Sequence, residues 1–181
     1  MNTTISKPGD ATIQNAISIP VEVGSPFLHD TVKSYVWHYH DRLVRSLKSH
    51  SIRWKWMDEP VIEWLPEERF RMTRIDHGIV TRKENGKKSL VLFEIKSGRS
   101  AHVSMIEQVI REDRDRRRSI LNIPQHVFDY SVLVVIARKN VCNLLRMNLP
   151  GKGRILYIQL EWLLEDMADL ARQAGVHDVV T

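Results

Sequence analysis

Cysteine is almost missing from this chain. Cys142 is the only one among 181 residues, which excludes an internal disulfide framework and any Cys-rich zinc site and fits a reducing compartment. No run of about 18 apolar residues occurs, so no segment reads as a membrane-spanning helix. The amino-terminal segment has neither the charged start nor the unbroken apolar stretch of a secretion signal, and an intracellular location is expected. Internal repeats, low-complexity tracts and a second domain are likewise missing. The simplest organisation is a loose arm over residues 1–23, rich in Thr, Ser, Asn, Pro and Gly, followed by one domain over residues 24–181.

The residues that are present have an ordinary globular balance, 43% hydrophobic and 27% charged. The formal charge of +5 leans toward an anionic partner, a weak pointer by itself. Ser25-Pro26 reads as an N-cap with proline at the first helical position. Val32, Val36, Tyr39, Leu43 and Leu47 then recur at helical spacing, predicting one helix through about Ser49. Ile52, Trp54 and Trp56 alternate with Arg53 and Lys55, a strand pattern that ends before Pro60. An extended segment from Phe70 to Arg82, a turn with Asn85-Gly86 at its tip and the return strand "SLVLFEIKS" read as a hairpin. A helix is expected over about Ala101 to Leu121. "YSVLVVIAR" reads as a central strand covered on both faces, "GKGRILYIQ" as a further strand and "LEWLLEDMADLARQA" as a closing helix. That order suits an α/β fold with a mixed central sheet flanked by helices.

The return strand carries the chemistry. Residues i and i+2 of a strand share a face, so Glu94 and Lys96 emerge side by side while Val91, Phe93 and Ile95 take the other face. Asp76 lies on the opposite arm of the hairpin. One reading is a solvated surface ion pair worth little; the other is a catalytic edge. Asp76, then Glu94-Ile95-Lys96 on neighbouring strands followed by a helix, resembles the PD-(D/E)xK nuclease superfamily, although Ile75 stands where the name has proline. The resemblance covers roughly residues 25–160 and implies a restriction-endonuclease-like αβββαβ core. It also implies hydrolysis of phosphodiester bonds in DNA or RNA with Mg²⁺ or Mn²⁺. Carried over, Asp76, Glu94 and the backbone carbonyl of Ile95 hold the metal, and Asp76, Glu94 and Lys96 are the catalytic set. Hard divalent cations take oxygen ligands and acidify a bound water. An amine beside them offsets developing negative charge.

Around this set stand supporting residues with a plain reading beside the functional one. On a helical wheel His29 falls about 20° and His40 about 40° from Val36, so the sheet-facing side of the first helix offers imidazole rather than carboxylate. The plain reading is two packed or hydrogen-bonded histidines. The cap-snatching endonucleases of segmented negative-strand RNA viruses use a first-helix His, a further acid, then Asp and (D/E)-x-K. The order His29, Asp58 or Glu59, Asp76, Glu94 and Lys96 is similar to theirs, making His29 or Asp58 a further ligand and favouring Mn²⁺. Arg99, Gln108, Arg116 and Arg117 are candidates for nucleic-acid contact, the arginines because their fork matches phosphate. Asp113–Arg117 and its neighbours also pair at i,i+4, the pattern of a self-compensated helix face. Trp54 and Trp56 read as strand residues of the core, with base stacking as the alternative. Many relatives dimerise, so a homodimer is one expectation, and a non-catalytic nucleic-acid-binding module with the same fold is the contrasting class.

Overall fold

The computed structural model describes residues 26–70, 75–98, 128–149 and 154–175. The loose arm, the N-cap at Ser25, the helix expected over Ala101 to Leu121, and with it Arg99, Gln108, Arg116 and Arg117, lie outside the described residues. Among those described, no helix is long and apolar enough to cross a membrane.

Where the apolar spacing predicts one helix, the chain forms two, α1 (Pro26–His38) and α2 (His40–Ser49). Proline is tolerated at the start of α1 because its missing N–H would have had no partner there. The break is Tyr39, at φ −122° and ψ 36°. The hydrogen-bond ladder bridges it, with Tyr39 N–H donating to Tyr35 O at 2.9 Å and Leu43 N–H to Tyr39 O at 2.8 Å. The kink lets both segments follow the core: Leu28, Val32 and Val36 are buried from α1, and Leu43, Val44 and Leu47 from α2.

The strand expected over Ile52 to Trp56 is not formed. Lys55–Asp58 is instead a 3-10 turn, closed by Met57 N–H donating to Trp54 O at 3.0 Å, with Trp56 and Met57 buried. Period-two alternation over so short a run also fits a tight turn that sends successive aromatic rings inward. The strand follows Pro60 as β1 (Val61–Pro66). A second 3-10 turn, Glu67–Phe70, leads toward β2 (His77–Arg82), shorter than the extended segment expected from Phe70.

The hairpin forms as expected. β2 pairs antiparallel with β3 (Lys88–Lys96), from His77 opposite Phe93 to Arg82 opposite Lys88. In the loop Gly86 takes φ +80°, which glycine adopts without penalty, and Asn85 Oδ1 accepts from Lys87 N–H at 3.1 Å. β4 (Phe128–Ala137) and β5 (Ile155–Gln159) add in parallel, giving a five-stranded mixed sheet in the order β1-β2-β3-β4-β5. Helix α3 (Lys139–Asn148), which apolar periodicity did not reveal, links β4 to β5, and α4 (Leu160–Gln173) closes the described chain. The fold is α/β, with helices packed on both faces of the sheet.

Two apolar layers result. Val132, Val134 and Ile136 of β4 join Phe93, Ile95 and the residues of α1, α2 and α4 in one layer. Leu133, Val135 and Ala137 join Leu90, Leu92, Phe70 and α3 in the other. Cys142 of α3 is buried there, its thiol directed at Ala137 O (3.2 Å), and burial pushes its pKa up to about 11. Gly78 marks the tightest approach. A Cβ there would meet Leu92 Cδ2 at 2.9 Å and the backbone oxygen of Val91 at 3.1 Å. The expected outcome for Gly78→Ala is a loss of about 1–3 kcal/mol, because the backbone oxygen cannot step aside. Urea unfolding measures it, and an unchanged midpoint would mean that the hairpin has slack.

Candidate functional site

The site forms where the hairpin ladder runs out. Beyond the His77–Phe93 pair, Asp76 N–H also donates to Phe93 O at 3.1 Å, which holds Asp76 beside the end of β3 that carries Glu94 and Lys96. Leu90 and Leu92 precede Glu94 and Lys96 on one face of β3, the face of the α3 layer. The pair is nevertheless not on the solvent surface. Glu94 is 2% exposed, Asp76 5% and Lys96 8%. The ammonium of Lys96 is bonded to Glu94 Oε1 inside the protein. A solvated strand pair does not describe these residues.

Asp76 is fixed from two sides. Its Oδ2 accepts from Ile95 N–H at 2.7 Å. Its Oδ1 lies 3.0 Å from Nε2 of His29, which α1 brings over the end of the sheet. Nδ1 of His29 lies 3.1 Å from Asp30 Oδ1. The hydrogen bond to Asp76 raises the His29 pKa, against the desolvation that lowers it. Because N–H and C=O of one strand residue point to the same side, the Ile95 carbonyl faces the gap past the end of β2, on Asp76's side.

Asp58 is not part of this cluster. Val61 is paired with Thr81 and Pro66 with His77, so β1 carries the chain from the far end of the sheet to the Asp76 end. Asp58 lies before that crossing and pairs with Lys48 at 2.6 Å, and Glu59 accepts from the Thr81 hydroxyl, also at the far end. The acids that β1 does deliver are Glu67 and Glu68. With Lys33, Trp37, Asp76 and His77 they line a cleft of about 360 Å³, and Lys33 is ion-paired with Glu67. Placing the strand after Pro60 rather than before it is the signal that would have found them.

Of the tryptophans, Trp56 is fully buried and meets Phe93 edge-on, which makes it core. His77 is also fully enclosed, stacked on Phe93 with centroids 4.8 Å apart. Burial lowers its pKa to about 3, so the ring is neutral. His40 is buried, with its pKa lowered for the same reason.

Among the described residues, no three His, Cys, Asp or Glu side chains gather as a ready cage for a metal ion. The donors present still suit one. The 3.0 Å between His29 Nε2 and Asp76 Oδ1 is the spacing of adjacent ligands set at right angles about 2.1 Å from a small divalent cation. Carboxylate, carbonyl and a single imidazole form a donor set for Mg²⁺ or Mn²⁺ rather than for a soft metal. No family model matches the chain, and no curated protein matches it.

Proposed function

We propose that the chain is a divalent-metal-dependent nuclease, hydrolysing phosphodiester bonds in nucleic acid as the PD-(D/E)xK nucleases do. The observation that carries this reading is the buried Glu94–Lys96 pair on the end of β3 to which buried Asp76 is bonded through Phe93 O and Ile95 N–H. Removing two charges from water costs several kcal/mol per ion, and apolar residues of similar size would serve stability at least as well. A charged cluster kept at a sheet end, beside a cleft, is therefore a candidate for chemistry.

Asp76, Glu94 and the Ile95 carbonyl would hold Mg²⁺ or Mn²⁺, with His29 as a further ligand. When bound, the cation supplies charge neutralisation at the phosphate and an acidified water. Ile95 N–H fixes the Asp76 rotamer so that one carboxylate oxygen stays directed away from the ladder. Lys96 pairs with Glu94 in the metal-free protein; in this reading its ammonium would offset the negative charge that develops on the phosphoryl oxygens. In the metal-free protein His29 orients Asp76 through its Nε2, the nitrogen that would turn to the cation when it binds.

DNA is slightly favoured as the substrate, because most families with this motif cut DNA. A second reading, an RNA endonuclease of the cap-snatching type, is favoured by the position of His29 against Asp76. Strong Mn²⁺ dependence with RNA as substrate would select it.

The deciding experiment is cleavage of labelled single- and double-stranded DNA and RNA with Mg²⁺, Mn²⁺ or chelator. Cleavage should need the metal, and Asp76→Asn should lower it by roughly a hundredfold or more with the circular dichroism spectrum unchanged. A metal-independent rate, or full activity in Asp76→Asn, would remove the reading. If nothing is cut and neither metal raises the melting temperature, a non-catalytic binding module is left.

A further inference from the structure

The cleft that holds Asp76 has two walls and a floor. Asp30, Lys33 and Trp37 of α1 stand on one wall. Pro66 at the end of β1, with Glu67 and Glu68 of the turn that follows, makes the other, and Asp76 and His77 lie between them. His29, Lys33 and Trp37 recur every fourth residue, so they share one face of α1. His29 meets Asp76, and one turn further on Lys33 meets Glu67. The second of these contacts ties wall to wall across the cleft. Both of its side chains remain open to solvent, Lys33 27% and Glu67 57% exposed, so a ligand can reach them.

An ion pair this open to water adds little to stability, because water screens both charges and ordering two long side chains costs entropy. It can be exchanged for a stronger one. Among the described residues that line the cleft, Lys33 alone is a lysine or arginine, against the four carboxylates of Asp30, Glu67, Glu68 and Asp76. In the free protein Glu67 holds even this cation. What has to enter the cleft follows from Asp76. A strand whose phosphate reaches a metal there brings its next phosphate toward the α1 face where Lys33 stands, about 6 Å along the helix from His29. With Lys33 still occupied, that phosphate would meet only the repulsion of Glu67 and Glu68. Released from Glu67, the ammonium offers it a compact positive charge.

We infer that Lys33 and Glu67 form an autoinhibitory strap across the cleft: Glu67 occupies the Lys33 ammonium in the free protein, and a backbone phosphate next to the one that is cut displaces Glu67 and takes the ammonium over. The strap rests on the nuclease reading for the identity of the anion. Lys33 is then a substrate-positioning residue, and Glu67 is a built-in competitor that weakens binding of every strand by the same factor.

The test is a double-variant cycle on Lys33 and Glu67. It is read by fluorescence anisotropy with labelled DNA and RNA oligonucleotides in chelator, and by KM and kcat for cleavage with Mg²⁺ or Mn²⁺. Glu67→Gln frees Lys33 and should tighten binding and lower KM about three- to tenfold. Lys33→Met keeps the apolar stem, and it should weaken binding and raise KM by a similar factor. In both variants kcat should stay within about twofold of wild type, since the contact serves binding rather than the bond-breaking step. In the Lys33→Met background most of the effect of Glu67→Gln should vanish, because it runs through the ammonium. An effect of equal size in that background would be a general charge effect and overturns the strap. Unchanged binding in both single variants overturns it too, as does tighter binding in Lys33→Met or no binding of any oligonucleotide by Glu67→Gln. A pair that only holds the fold would show instead as lowered urea midpoints with KM unchanged. Coupled binding without any cleavage would keep the strap and remove the nuclease reading. Cleavage with no coupling between the two residues would do the reverse.

Discussion

Lys96→Ala is expected to lower stability by about 3 kcal/mol and cleavage by roughly a hundred- to a thousandfold. The first effect follows from burial: Glu94 is 2% exposed, and it would lose its ion pair with Lys96. Breaking a buried ion pair leaves an uncompensated charge, which costs about 3–5 kcal/mol. The second follows from the role proposed for the amine in stabilising developing charge. A double variant separates the two. Glu94→Gln with Lys96→Met removes both charges at similar volume and should recover most of the stability, yet remain inactive. Urea midpoints and initial cleavage rates, measured on the same preparations, check the pair of claims. If the double variant regained activity with its stability, the ion pair would be structural only and the catalytic assignment of Lys96 would fall.

The second large effect is a loss of stability in acid that belongs to His77. Its ring is fully enclosed against Phe93 and Trp37, and neither nitrogen has a hydrogen-bond partner among the described residues. Burial holds its pKa at about 3, opposed by the charge of Asp76 and assisted weakly by Lys33 and His40. The unfolded chain takes up this proton near pH 6.5 and the folded one does not. Stability is thus complete above pH 6.5 and falls with pH down to about 3, by roughly 3 kcal/mol between pH 7 and pH 4. His40 acts in the same direction. His29 acts in the opposite sense: its raised pKa gives stability that is full below its unfolded value and lost only as pH rises through the folded one. It therefore does not mask the acid effect. His77→Phe keeps the stacked ring and removes the proton acceptor. It should flatten the acid limb of a stability-against-pH curve and raise the midpoint at pH 4. A variant with the wild-type slope would move the acid sensitivity elsewhere.

How much of this was legible in the residues depended on whether local pattern and tertiary demand agreed. The β2–β3 hairpin was readable because its turn residues, its alternation and its apolar face all point to one structure. The central strand β4 was readable because no polar residue interrupts Val132 to Ala137. The first strand was misplaced because Trp54 and Trp56 alternate like strand residues, while the true strand has Ile62 and Glu63 exposed side by side at a register shift. That one error moved the expected acid from Glu67 and Glu68 to Asp58, at the opposite end of the sheet. α3 was missed because only Val141, Cys142 and Leu145 are buried in ten residues, too few for a clear helical stripe. The wheel placed His29 and His40 on the inner side correctly. It could not show that one meets Asp76 and the other Trp64, because the turn at Tyr39 is a tertiary choice.

The enclosed thiol of Cys142 has a practical corollary. With its pKa near 11 and no exposed surface, it should ignore maleimides and iodoacetamide while the fold is intact. To such reagents the wild-type protein is blank. A single substitution such as Met147→Cys, at a position 78% exposed, would then carry the one reactive handle, so dyes or spin labels can be attached without deleting the native residue.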